Sequence, residues 1–81
     1  MDIKIYIRTS EPWSQSLVDY LRSRSMKYTK IEVTVDREGY REMIRISGQK
    51  RVPVIVIGDQ VLVGFNRRRI EELLGEEIST T

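Results

Sequence analysis

The sequence predicts an α/β domain with the element order βαβαββα, in which helices cover both faces of a mixed four-stranded sheet. Three observations predict this class. The chain opens with a strand-like alternation, helical periodicities follow capping residues, and two β-branched runs flank a tight turn. With 81 residues, the chain should form one domain around a single small core.

The first strand and helix are predicted from residues 3–25. "IKIYI" alternates apolar with polar residues, which predicts a strand with one face inward. Ser10 or Glu11 can cap the helix that follows, with Pro12 in its first turn, where a missing N–H costs nothing. One apolar stripe of that helix, at i, i+4, i+7 and i+8, is formed by Trp13, Leu17, Tyr20 and Leu21.

A second strand and helix follow. "KYTKIEVTV", residues 27–35, is β-branched and alternating, so we expect a strand there. Asp36 is a good N-cap for the next helix, and Gly48 suits its C-terminal end. The residues expected to face inward are Tyr40, Met43 and Ile44.

The segment "RVPVIVIGDQVLVGF" predicts a hairpin. Its two apolar runs, residues 54–57 and 60–63, are joined by Gly58-Asp59. Asn66 should cap a last helix that Gly75 ends, and its apolar stripe is Ile70, Leu73 and Leu74. We therefore expect a domain over residues 1–75 and a short tail over residues 76–81.

The order of these elements determines how they pack. Strand, helix, strand at the start is a βαβ unit, so its strands should be parallel and joined by a right-handed crossover. An antiparallel hairpin and a covering helix complete a mixed sheet. This arrangement is thioredoxin-like.

Composition excludes much chemistry. The chain has no cysteine and no histidine, so a disulfide, a thiolate nucleophile, an imidazole base and a Cys/His metal site are all impossible. No apolar run approaches the roughly 18 residues that span a membrane, and "MDIKIYIRT" lacks the apolar core of a signal peptide. We expect no membrane partner and a cytoplasmic location.

Charge is unevenly distributed. All 14 Lys and Arg lie in residues 1–70 with 8 acids, whereas residues 71–81 hold 4 acids and no base. This basic bias raises the question of nucleic-acid binding. The cations are spread over several elements and no aromatic stacking platform accompanies them, so nucleic acid is not the expected partner.

Three segments together resemble the glutaredoxin family: "IYIRTSEPWSQSL", "RVPVIVIGD" and "VLVGFNRRRIEELL". Within that family, the chain is most similar to the short redoxins that donate hydrogen to ribonucleotide reductase. The resemblance implies thiol–disulfide exchange, an electron-donor function in cell redox homeostasis, and a cis bond between Val52 and Pro53 that lies against the active-site turn. The alternative for Pro53 is a plain strand-entry residue.

The resemblance places the family's Cys-x-x-Cys on Glu11, Pro12, Trp13 and Ser14. Disulfide exchange needs a thiolate and a resolving thiol, so this chain cannot perform it. Glu11 would keep a negative charge at a helix N-terminus, which leaves two interpretations open: a binding residue or a good first-turn residue. Ser14 is expected to be a capping or solvent-facing hydroxyl and, without a base, not a nucleophile.

The resemblance also raises glutathione, a ligand of the family, as a possible ligand of this chain. Arg8 stands where relatives often have a lysine for the tripeptide carboxylate, and the backbone of Val52 could pair with the peptide. Against this, Arg67 would repel the ligand's ammonium and Glu11 its thiolate. The Gly64-Phe65 pair is closer to the ribonucleotide-reductase redoxins and favours a protein partner. We therefore expect no cofactor.

The run Arg67-Arg68-Arg69 opposes the dipole of its own helix, which is unusual enough to suggest a site. One hypothesis is a basic rim, in which Arg8 and one of these arginines receive an anion near Glu11. The alternative is a solvated face neutralised by Glu71 and Glu72 through i,i+3 and i,i+4 pairs.

The prediction for function is a redox-inactive, glutaredoxin-like module that binds a protein or an extended peptide beside Pro53. Trp13 is expected to be a partly exposed contact residue rather than a core residue. The alternative is a natural or engineered variant of an active thiol–disulfide oxidoreductase, and self-pairing through an edge strand also stays open. The expected binding residues are Arg8, Glu11, Pro12, Trp13, Val52, Pro53, Gly64, Phe65 and Asn66.

Overall fold

A computed structural model describes residues 2–79, which form four strands and three helices. The strands are β1 (Ile3–Ile7), β2 (Thr29–Glu32), β3 (Val54–Ile57) and β4 (Gln60–Val63). The helices are α1 (Pro12–Ser23), α2 (Arg37–Ser47) and α3 (Arg67–Ser79). The predicted order βαβαββα is confirmed.

The four strands form one sheet in the order β2-β1-β3-β4. β1 pairs with β2 in parallel and with β3 antiparallel, and β3 pairs with β4 antiparallel. The side chains of α1 and α3 pack on one face, and those of α2 pack on the other. The predicted α/β class with a mixed, doubly covered sheet is confirmed.

The sheet separates two apolar clusters, so the expectation of a single core was wrong. The cluster under α1 and α3 includes Ile5, Leu17 and Ile70, and the cluster under α2 includes Tyr6 and Met43. A central strand in a sheet covered on both sides must bury side chains on both faces. This is why β1 does not turn only one face inward: Tyr6 is 1% exposed on the α2 side.

The polar atoms on the α2 side of β1 are paired with one acid of α2. The Tyr6 hydroxyl donates to Glu42 Oε1 at 2.5 Å, and Lys4 Nζ donates to the same oxygen at 3.0 Å. The hydrogen bond from Tyr6, followed by that from Lys4, lowers the pKa of Glu42. Burial, followed by the bond to Glu42, raises the pKa of Tyr6. The alternation in "IKIYI" therefore encodes a polar link between β1 and α2.

β2 is shorter than the predicted residues 27–35, because β1 offers it only four partners, from Lys4 to Ile7. The N–H of Val33 makes a last bond to the carbonyl of Ile7. The N–H groups of Val35 and Asp36 then both donate to the carbonyl of Glu32, which forms a turn that leads into α2.

Helix ends follow their predicted caps with one exception. Asp36 caps α2 by accepting from the N–H of Gly39, and Gly48 ends it with a φ of +70°. Gly75 does not end α3, which runs on to Ser79. Gly75 has no positive φ, so it lacks the left-handed geometry of a terminating glycine. Of the predicted tail, residues 80 and 81 lie outside the described residues.

Within residues 2–79, we find no helix that combines the length and the apolar character needed to cross a membrane.

Candidate functional site

The loop between β1 and α1 is closed by hydrogen bonds around Glu11. The Glu11 N–H donates to the carbonyl of Arg8 at 2.9 Å, which forms a tight turn. The Glu11 carboxylate accepts from the N–H of Ser14 at 2.7 Å, so Glu11 is the N-cap, and Pro12 follows in the first turn. The acid at the first family cysteine position thus satisfies an otherwise unpaired donor at the start of α1.

Ser14, at the second family cysteine position, faces the core. Its side chain is fully buried, and its Oγ accepts from the N–H of Arg8 at 3.2 Å. The expectation of a solvent-facing hydroxyl was therefore wrong. The buried stripe of α1 is Ser14, Leu17, Val18 and Leu21, at i, i+3, i+4 and i+7, together with Tyr20.

Trp13 lies outside this stripe. Its position, one residue before Ser14, turns it by about 100° around the helix axis, away from the core. The side chain is 60% exposed. The assignment of Trp13 to the apolar stripe is corrected, whereas its predicted exposure is confirmed. A large apolar ring therefore stands in solvent at the start of α1.

The second part of the site precedes β3. The Val52–Pro53 bond is cis, and both side chains are buried. The last pair of β1 and β3 is Tyr6 with Val54, so Val52 lies two residues before the paired part of β3. Within the described chain, the N–H and C=O of Val52 have no hydrogen-bond partner. Within the described residues, backbone hydrogen-bonding groups are thus left unpaired just before β3.

The third part follows β4. The N–H of Gly64 donates to the carbonyl of Pro53 at 2.7 Å, and Gly64 has a φ of +84°, which favours glycine. The Phe65 ring packs on Tyr20 of α1 with centroids 5.8 Å apart. Asn66 caps α3 through a bond from the N–H of Arg69 at 3.1 Å. Of the predicted site residues, Gly64 and Pro53 are thus brought together. Phe65 instead packs on α1, and Asn66 caps α3.

Arg8 and Arg67 do not come together in the hypothetical basic rim. The Arg8 guanidinium lies 6.0 Å from the ring centroid of Tyr40 on α2. That of Arg67 lies 5.6 Å from the ring centroid of Tyr20 on α1, which covers the opposite face of the sheet. The alternative is observed instead. Two ion pairs along α3 join Arg67 to Glu71 at 3.1 Å and Arg69 to Glu72 at 2.8 Å.

Sequence reasoning missed a cluster around Tyr20. Arg24 and Arg67 both lie over its ring, at 5.5 and 5.6 Å from the centroid. The Glu71 carboxylate accepts from the Tyr20 hydroxyl at 3.4 Å and from Arg67. Tyr20, Arg24, Arg67 and Phe65 line part of an open groove of about 540 Å³ between α1 and the start of α3. The i,i+4 spacing of Tyr20 and Arg24 could have indicated part of this cluster, but Phe65 and Arg67 lie more than 40 positions away and give no periodic signal.

A second missed contact holds the loop after β1. Glu32, at the end of β2, accepts from the N–H of Thr9 at 3.0 Å and from the hydroxyls of Thr9 and Thr34. Burial raises the pKa of Glu32, but the hydrogen bonds from Thr34 and Thr9 outweigh it and lower the pKa overall. No cluster of three or more possible metal ligands occurs within residues 2–79.

Comparison with known proteins agrees with this geometry. The family model described as glutaredoxin matches residues 3–62. The chain belongs to the glutaredoxin family. A glutaredoxin-like protein of 8.6 kDa from the rubredoxin operon of Clostridium pasteurianum is 36% identical over 72 residues, covering 89% of this chain and 96% of the relative.

Solved structures have the same fold as this glutaredoxin-family protein. The NrdH-redoxin of Escherichia coli superposes with a TM-score of 0.78 at 27% identity, covering 90% of this chain and 95% of the other. A glutaredoxin from Archaeoglobus fulgidus superposes with a TM-score of 0.81 at 23% identity, covering 90% and 85%. The predicted kinship with glutaredoxin-like redoxins is confirmed. The family is redox-related, and the absence of cysteine from this member fits a loss of that activity.

Proposed function

We propose that this protein is a redox-inactive member of its family that binds an extended segment of a protein partner. The observation that carries the proposal is the start of α1. Glu11 and Ser14 are engaged in internal hydrogen bonds, whereas Trp13 between them is 60% exposed. Oxygen side chains in these positions cannot exchange disulfides, and an exposed tryptophan is a typical anchor residue of a binding surface.

The partner segment would lie along Val52. Its N–H and C=O have no hydrogen-bond partner in the described chain, so they can pair with an extended peptide as an added strand does. Trp13 would then contact a side chain of that peptide. A cytoplasmic location belongs to the same proposal.

Glutathione is not the ligand of this proposal. Arg8 lies over Tyr40, and Arg67 is paired with Glu71, so neither cation is held ready for a carboxylate of the tripeptide. Glu11 places a carboxylate where the tripeptide's sulfur would approach. Both features support a site that recognises a polypeptide without a thiol and without a cofactor.

Trp13 makes the proposal testable, because it is the only tryptophan in the chain. Peptides selected from a random twelve-residue phage library should shift its fluorescence on titration, and glutathione at the same concentration should not. Labelled peptide anisotropy should show binding at least about tenfold weaker for Trp13→Ala. The matched control is Ile46→Ala, which shortens an exposed apolar side chain on a different helix, α2. Failure to select any peptide, or equal loss in both variants, would contradict the proposal.

One observation favours the second candidate function, a variant of an active thiol–disulfide oxidoreductase. Ser14 is buried at the core-facing position of α1, where a cysteine of similar size would fit. The double variant Glu11→Cys/Ser14→Cys, assayed for reduction of insulin disulfides, separates the two functions. Prompt turnover would favour recent or deliberate loss of cysteines. A folded but inert double variant would support the binding module.

A further inference from the structure

The outer edge of β4 is an unprotected strand edge. β4 lies at one end of the sheet and, within residues 2–79, pairs only with β3. Its four residues, Gln60–Val63, carry no charge, whereas β2 at the other end carries Lys30 and Glu32. Proteins usually protect an edge strand with charges, proline or a bulge, because an open row of N–H and C=O groups attracts another strand.

The hydrogen-bond pattern shows which groups of β4 face outward. The N–H of Gly64 donates to the carbonyl of Pro53, and Leu62 stands opposite Ile55. Because the groups of an antiparallel strand alternate in direction, those of Leu62 and Gln60 also point towards β3. The N–H and C=O groups of Val61 and Val63 therefore point away from the sheet.

These outward groups are self-complementary. Consider a second copy of the chain, related by a two-fold axis through Leu62 and running antiparallel to the first. Val61 of each copy then stands opposite Val63 of the other, and the two pairs exchange four backbone hydrogen bonds. Moving the register by one residue would set outward groups against inward ones. We propose that this protein forms a symmetric homodimer through β4, in which two four-stranded sheets join into one of eight strands.

The side chains suit this pairing. Val61 and Val63 share the α2 face of the sheet and are 37% and 41% exposed, so each gains an apolar neighbour across the two-fold axis. Leu62 points to the other face and meets its own copy. Charge is also compatible, because antiparallel pairing brings the Asp59 end of one copy towards the end of β4 that leads into Arg68 of the other.

The size of the interface determines how tight the dimer should be. A four-residue strand pair buries less than the roughly 1,200 Å² that marks stable protein interfaces. We therefore expect dissociation constants in the micromolar to millimolar range, with dimers at high concentration only.

Sedimentation velocity between about 10 µM and 1 mM measures this equilibrium. The apparent mass should rise from 9.5 kDa towards twice that value. Over the same range, amide NMR shifts should change in residues 60–64. Val61→Lys should weaken the dimer at least about tenfold. Thr29→Lys, on the opposite edge strand, is the matched control and should leave it unchanged.

Mixing variants tests the register itself. Val61→Lys and Val63→Glu should each weaken self-association, and a mixture of the two should recover a heterodimer, because the new charges stand opposite each other. A mixture of Val61→Lys with Val61→Glu should recover less of it, because these two charges are diagonal neighbours and do not stand directly opposite each other. Thermal unfolding confirms that each variant is folded. A monomer at 1 mM, equal loss in the Thr29 control, or equal or greater recovery in the second mixture would overturn the proposal. Shifts in residues 60–64 only with added peptide would overturn it as well and assign this edge to a partner strand.

Discussion

At the scale of single residues, the most informative positions are the two that stand in for the family cysteines. Glu11 accepts a hydrogen bond from the N–H of Ser14 and so caps α1, while the Ser14 hydroxyl accepts from the N–H of Arg8. Each oxygen satisfies a backbone donor near the helix start, where α1 itself supplies no partner. Both oxygens therefore stabilise the start of α1 locally, and neither can take part in disulfide exchange.

The cap can be tested directly. Glu11→Ala removes the acceptor for the N–H of Ser14 and should lower the free energy of unfolding by about 1 kcal/mol. Glu11→Gln keeps an acceptor oxygen and should lose less. Urea denaturation followed by circular dichroism gives these values. Ser10→Ala, a change at the exposed neighbouring residue, should be neutral, and an equal loss there would contradict the capping role.

At the scale of elements, α2 and α3 use glycine in opposite ways. Gly39, in the first turn of α2, lies so close to β2 that a Cβ would stand 2.4 Å from Ile31 Cγ2. A Cβ on Gly75, inside α3, would meet nothing within 4 Å. The first glycine allows a helix to approach the sheet, and the second only adds flexibility to a helix.

Alanine at these two glycines should therefore change stability in opposite directions. Gly39→Ala should destabilise the protein by about 1–3 kcal/mol, because Ile31 or the helix must move. Gly75→Ala should stabilise it by up to about 1 kcal/mol through helix propensity. Thermal unfolding of both variants is the measurement. A stabilising Gly39→Ala would mean that α2 does not approach β2 this closely.

At the scale of the whole molecule, a few hydrogen bonds to carboxylates connect elements that otherwise pack through the two apolar clusters. Glu42 joins α2 to β1 through Tyr6 and Lys4, and Glu32 joins the end of β2 to the loop at Thr9. Both acids have lowered pKa values. These carboxylates must be ionised to accept all their bonds, which connects the stability of the molecule to pH.

Acid should therefore destabilise the protein. A carboxyl with a lowered folded-state pKa contributes stability above its unfolded pKa and loses it as pH falls through the folded value. The unfolding free energy, measured in urea, should fall between about pH 5 and pH 2. Glu42→Gln should make this fall shallower, because the hydrogen bonds from Tyr6 and Lys4 then contribute without a titration. Asp19→Asn, at an exposed acid of α1, should keep the wild-type slope.

Much of the site could be predicted, but its contacts could not. The cap at Glu11, the exposure of Trp13 and the hairpin after Pro53 follow from short-range patterns and from kinship. The burial of Ser14 was missed, because a serine after an exposed tryptophan gives no apolar signal. The partners of Arg8 and Arg67 were missed as well, because each guanidinium lies on a tyrosine from a different part of the chain.

The sequence by itself determined the order of the elements, most of their caps and the absence of sulfur chemistry. These are properties of residue type and of spacing over one or two turns, and they hold wherever the element lies. Only the tertiary structure decided which face of α1 is buried, that β1 is covered on both sides, and that β4 has an open edge. Those features arise when elements distant in the chain compete for the same surface, and no local pattern records that competition.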